Sequence, residues 1–164
     1  MYIPADGHVF SATDYAQLEL CALAQHCKTT YGKSKLAEVI NDGTDVHKFL
    51  ASKIYNIDVG QVTKDQRQLA KAASFGLPGG LAARTFVTYA KGYGVDIDEP
   101  RAQEVKAIWL KAFPEMEEHL KPISVEDDYG RPCFTAVTLT GRKRSNATYC
   151  EACNYVFQGL KLAA

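Results

Sequence analysis

The stretch from Thr63 to Gly80 constrains this chain more than any other. Thr63 followed three residues later by Gln66 forms a capping-box pattern, so a helix is predicted to begin at Lys64. Gly76, Pro78 and the Gly79-Gly80 pair bring it to a stop. Between cap and stop, Arg67, Lys71 and Phe75 recur every four residues. At about 100° per residue they share one slowly drifting face, with about 6 Å of rise between neighbours. Two cations one turn apart repel unless an anion lies across them. A polyphosphate meets that need, with Arg67 and Lys71 on its oxygens and the Phe75 ring beside a base or sugar. A solvated basic face with Phe75 turned into the core satisfies the same pattern.

The segments on either side supply the context. Residues 7–13 are short and rich in β-branched and aromatic types after a turn-like Ala5-Asp6-Gly7, and they read as a strand ended by Asp14. Residues 15–25 read as a helix, with Leu18, Cys21 and Ala22 on one stripe and Leu20, Leu23 and Ala24 beside it. At such a junction Asp14 is either an N-cap or a metal ligand, and Glu19 within the helix takes a surface position. A short helix is predicted over 33–40. Another runs over 46–55, capped by Thr44 or Asp45, with Phe49, Leu50 and Ile54 buried and His47 in its first turn, as a surface residue or a ligand. Residues 81–91 form a helix closed by Gly92 and Gly94. Asp98-Glu99-Pro100 opens a longer one whose stripe is Ala102, Val105, Trp109, Ala112 and Phe113, up to Pro114. A short acidic helix to Leu120, a strand over 132–139 and a helix over 147–158 complete the reading. In the last, Asn154 and Gln158 stand one turn apart.

Composition narrows the function classes. With 164 residues, 46% of them hydrophobic, and zero formal net charge, the chain reads as one globular unit with a sizeable core. No apolar run reaches the length of a membrane span, and the N-terminus lacks the form of a signal peptide, so the expected compartment is the cytosol. Five scattered cysteines point to reduced thiols rather than a disulfide framework. Neither they nor the four histidines have zinc-site spacing. Neutral charge argues against bulk, sequence-independent DNA binding. Residues 115–128 are acidic whereas Arg131 and Arg142-Lys143-Arg144 are basic, so any nucleic-acid contact is local.

In chain order the motifs are Asp14-Tyr15-Ala16-Gln17-Leu18-Glu19-Leu20, Asp45-Val46-His47, Arg67-x3-Lys71-x3-Phe75-Gly76, Phe113-Pro114, residues 138–144 from Thr138 to Arg144, and Asn154-x3-Gln158-Gly159. This series resembles the polymerase domain of family A DNA polymerases, the DNA polymerase I family with its phage relatives, over nearly the whole chain. The first and third motifs are specific in residue type and spacing. The resemblance implies an α+β fold. In it an antiparallel palm sheet holds the Asp14 strand and the 132–139 strand, and mostly helical fingers are built from the helices of about 33–122. The corresponding divisions are a first palm segment over 1–30, fingers over 31–130 and a second palm segment over 131–160.

What the resemblance implies about the site is equally specific. Asp14 would bind magnesium in a two-metal centre for deoxynucleotidyl transfer to a primer 3′ end. Magnesium chemistry suits this, since the ion takes few carboxylates and completes its shell with water and phosphate oxygens. Glu19 would be the gate that excludes a ribose 2′-hydroxyl. Arg67 and Lys71 would hold the triphosphate, Phe75 would stack beside the incoming deoxynucleotide and His47 would lie near the phosphates. Asn154, Gln158 and Arg142 would contact primer-template DNA.

Three departures accompany the resemblance. Gly79, after Pro78, stands where the family usually has a Tyr four residues after the Phe, and Cys21 stands where an Arg usually follows the first motif. The family's later His-Asp-Glu motif, with its second metal carboxylate, is missing, as is the thumb that would precede residue 1. The expectation is therefore an excerpt of palm and fingers, inactive by itself, from a bacterial or phage-infected cell. Residues 161–164 resemble a vector-derived scar. An exposed edge at the Asp14 strand would invite self-association. The alternatives are a catalytically dead nucleotide- or nucleic-acid-binding module and a single-subunit RNA polymerase, the latter disfavoured by Glu19.

Overall fold

The computed structural model describes residues 3–12, 17–126 and 129–159. The cap signals place the helices closely. Thr63 and Gln66 form a complete capping box at the start of α4 (Lys64–Gly76), as the sequence predicts. Asp45 caps α3 (Val46–Tyr55), its side chain accepting from the His47 and Lys48 N–H groups. Asp98 caps α6 (Glu99–Ala112) in the same way, through the Arg101 N–H. The other helices are α1 (Leu18–Tyr31), α2 (Lys35–Asn41), α5 (Ala83–Lys91), α7 (Met116–His119) and α8 (Tyr149–Gln158).

α4 is the axis of the helical region. Its Leu69, Ala70, Ala72 and Ala73 are buried, and the small alanines let α3 and α5 approach closely. The same core takes Leu20 and Leu23 from α1, Leu50 from α3, Phe86 from α5, Trp109 from α6, and Phe113 and Met116 beyond it. After Gly76 the chain tightens into a 3-10 turn, Leu77–Gly79, and leaves it through Gly80 at φ 81. That turn is buried against α8, so the end of α4 is fixed by a distant stretch of the chain.

Two expectations fail here. Residues 8–12 form no strand; Val9 and Phe10 are 89% and 67% exposed, and the local backbone bond is the Ala5 to His8 turn. Their composition favours extended chain, but a strand exists only with a ladder partner, and none of the described residues pairs with them. The sheet is instead β1 (Ile123–Glu126), β2 (Pro132–Val137) and β3 (Lys143–Ala147), antiparallel in that order. Only β2 shows in the sequence pattern. In β3 four of five residues are exposed, so pairing rather than periodicity makes it a strand. The fold is α+β, as predicted, with the sheet packed under α8.

Burial corrects the reading of several residues. His47 is 3% exposed rather than at the surface, and Cys21 is exposed rather than on the buried stripe. Glu115, at the head of the acidic stretch, is 2% exposed and accepts hydrogen bonds from the Leu36 N–H and the Ser34 hydroxyl.

Candidate functional site

An open cleft of about 800 Å³ lies where α1, α4, α5 and α8 meet. Four of the sequence-predicted residues line it: Glu19 from the first turn of α1, Phe75 from the last turn of α4, and Asn154 and Gln158 from α8. They come from three elements far apart in sequence. Asn154 and Gln158 share one helical face because they are one turn apart. The α8 helix that carries them is held by a capping box, Thr148 with Glu151, and by the Tyr149 hydroxyl donating to the Leu120 carbonyl at 2.9 Å.

A cationic group sits beside the cleft, toward the start of α4. Arg67 Nε donates to Asp45 Oδ2 at 3.0 Å, and a second guanidinium nitrogen lies 2.9 Å from the same oxygen. The anion that the two cations need is therefore partly supplied by the protein. Burial raises the Asp45 pKa, but the Lys48 N–H and the Arg67 guanidinium outweigh it and hold the carboxyl below its ordinary value. Lys71 has no ion-pair partner among the described residues. His47 connects the two groups: its ring packs against Phe75 with centroids 5.5 Å apart. Burial pushes the His47 pKa down to about 4, Asp45 opposes this, and Arg67 and Lys71 add to it. The imidazole is thus neutral at pH 7, with Nδ1 buried and unpaired.

The remaining predicted residues lie elsewhere. Arg142 is in the turn between β2 and β3, with its backbone N–H on Thr138 Oγ1 and its guanidinium 3.5 Å from the Gly159 carbonyl; it does not line the cleft. Asp14 lies outside the described residues, and the N-cap position of α1 belongs to Gln17. The described residues contain no group of three or more His, Cys, Asp or Glu able to hold a metal ion. They do not by themselves fit a magnesium centre.

Sequence reasoning missed part of the cleft lining. Tyr89 and Tyr93 line the cleft with Leu81, Gly76 and Gly79. The four-residue spacing of the tyrosines was the available signal, but it reads equally as core. Gly79 is without a side chain for a steric reason: an added Cβ would stand 2.7 Å from Asn154 Nδ2. The Asn154 carboxamide lies over this glycine and donates to the Cys150 carbonyl. Gly79→Ala is accordingly expected to cost about 1–2 kcal/mol, most of it recovered when Asn154→Ala is added. Strictly additive costs in a urea-denaturation double-mutant cycle would contradict this contact.

Comparison with known proteins shows the family and the fold. The family model described as DNA polymerase family A matches residues 1–159. DNA polymerase I of Aquifex aeolicus (strain VF5) is 34% identical over 165 residues, covering 96% of this chain and 28% of its own length. The DNA polymerase of Bacillus phage SP01 is 29% identical over 147 residues, covering 85% of this chain and 14% of its own. Among solved structures, the POL domain of Pol1 from M. smegmatis, in complex with DNA primer-template and dNTP, superposes with a TM-score of 0.68. It is 25% identical, and the match covers 89% of this chain and 26% of that one. The chain therefore spans under a third of the length of these relatives.

Proposed function

The chain belongs to DNA polymerase family A, and from that premise we propose that it is the palm-and-fingers portion of an enzyme that extends a DNA primer on a template. The observation that supports this best is the convergence of Glu19, Phe75, Asn154 and Gln158 on one cleft, with Arg67 and Lys71 further along the same helix as Phe75. Residues 1–30 and 131–160 would be the two palm segments and 31–130 the fingers.

The rise of α4 gives the proposal a length scale. Eight residues separate Arg67 from Phe75, or about 12 Å of helix, comparable to a triphosphate with its sugar. Phosphates at Arg67 and Lys71 would therefore leave the base at Phe75. The neutral His47 ring behind Phe75 braces it without adding charge. Glu19, lining the same cleft, would crowd a 2′-hydroxyl and favour deoxynucleotides by exclusion. Asn154 and Gln158 would offer amide edges to the primer-template, with Arg142 further out on a phosphate. Magnesium, when bound, would neutralise phosphate charge, and Asp14 would be a ligand that the family resemblance assigns to it. Residues 8–12 supply no strand edge for the self-association proposed at Asp14, and among the described residues the sheet edges are β1 and β3.

The test is a titration of the chain with a deoxynucleoside triphosphate, followed by amide chemical shifts. A Kd near the millimolar range is expected for a few charge contacts, rising with salt. Shifts should appear along 64–76, and Arg67→Ala/Lys71→Ala should weaken binding by about tenfold or more. Shifts that avoid α4, or that persist in the double variant, would reject the triphosphate assignment.

A further inference from the structure

We propose that Tyr89 is a base-stacking residue, placed to carry a nucleobase of the template strand rather than of the incoming nucleotide. The inference rests on the polymerase reading of the cleft and adds a residue to which that reading gave no role.

Tyr89, on α5, lines the cleft and is half-buried. Gly76 makes its position possible. A Cβ added there would stand 2.9 Å from both Cδ1 and Cε1 of the Tyr89 ring, so the ring lies against the last turn of α4 only because residue 76 has no side chain. The phenol is held at its other end too. Tyr93 packs against it at 5.3 Å between centroids, and the two hydroxyls are 3.1 Å apart. Burial, followed by the Tyr93 bond and the charges of Tyr93 and Glu19, raises the Tyr89 pKa far above its ordinary value, so no phenolate faces the strand.

Other residues lining the same cleft have complementary chemistry. Asn154 and Gln158 present carboxamides, which donate and accept in the plane of a flat heteroaromatic ring. An aromatic ring and two carboxamides lining one cleft of about 800 Å³ suit a nucleobase, and stacking tolerates any base because each has a π face. The order along α4 separates two base positions. A nucleotide held by Arg67 and Lys71 reaches Phe75, while Tyr89 stands beside the next residue, Gly76, away from those cations. With Phe75 taken by the base of that nucleotide, the base at Tyr89 would be the template's.

The experiment uses the chain with two fluorescently end-labelled probes, octathymidylate and an octamer of abasic sugar-phosphate, followed by anisotropy at low salt. Thymine stacks weakly on its neighbours, so loss of a protein ring is visible. Tyr89→Leu is expected to weaken octathymidylate binding about tenfold, Tyr89→Phe to stay within about twofold of wild type, and the abasic octamer to bind all three alike. Circular dichroism melting of each variant reports the fold. Octathymidylate binding unchanged in Tyr89→Leu would overturn the proposal, as would an equal loss for the abasic octamer, which would mark a structural role. Failure of the wild-type chain to bind either octamer would overturn the nucleic-acid reading together with this inference. Thymidylate binding that is insensitive to residue 89 overturns the inference alone.

Discussion

Between pH 7 and pH 4 the folded chain is expected to lose about 5 kcal/mol of stability, most of it through two buried imidazoles. His47 and His119 are each 3% exposed, each has an unpaired Nδ1, and each has its pKa lowered from 6.5 to about 4. Burial is the first cause in both. For His119 the hydrogen bond on the Pro78 carbonyl opposes it and His26 adds to it. Because the carbonyl can only accept, Nε2 of His119 carries the proton and Nδ1 does not. In the unfolded chain these groups charge near 6.5; in the folded one they stay neutral until about 4. The unfolded state therefore binds more protons across that window. The stability is fully present above it and drains as pH falls, by up to about 1.4 kcal/mol per group per pH unit. His26, whose pKa is also lowered by burial, acts in the same direction. Asp45 adds nothing in this window, because a depressed carboxyl loses its contribution only as pH falls through its own lower range.

These imidazoles support the two ends of the site. His47 backs the Phe75 ring, and His119 holds the turn after α4 through Pro78 at 2.9 Å. Acid should thus loosen the cleft before the sheet. Urea midpoints at pH values from 7 to 4.5 measure the effect, and His47→Gln and His119→Gln should each remove about half of the slope. A flat midpoint over that range would show that these imidazoles are solvated and ordinary.

Glu115→Ala is expected to destabilise the chain by about 3–4 kcal/mol at pH 7. One carboxylate oxygen accepts from the Leu36 N–H at 2.8 Å and from Ser34 Oγ at 3.1 Å, at the first turn of α2. Ser34 is the N-cap of that helix and also accepts from the Ala37 N–H, so the carboxylate completes the cap from 79 residues away. With the side chain removed, the Leu36 N–H is left without its partner and a buried void opens. Glu115→Gln keeps an acceptor oxygen and should cost less, about 1–2 kcal/mol. Urea denaturation with an unchanged m-value checks both variants. An alanine variant within about 1 kcal/mol of wild type would mean that water or a neighbour replaces the carboxylate at no cost.

The sequence alone determined what local chemistry controls. The capping boxes and Asx caps at Thr63, Asp45 and Asp98 place helix starts because the capping side chain and the N–H it satisfies lie within three residues of each other. The Trp109 stripe of α6 and the arrangement of Arg67, Lys71 and Phe75 on α4 follow from helical period alone. Motif order carried the family likeness, since order survives without any knowledge of contacts.

Tertiary structure decided everything that depends on a distant partner. Residues 8–12 have strand composition but no ladder, whereas β3, polar in all but its last residue, is a strand because β2 pairs with it. Glu115 looks like one more carboxylate in an acidic run and is instead a buried cap for a helix far behind it. Arg67 reads as an open cation and is paired to Asp45. The tyrosine part of the cleft lining was illegible for the same reason. Tyr89 takes its place only because Gly76, thirteen residues earlier and on another helix, has no side chain, and a relation of that kind exists only once α4 and α5 have packed.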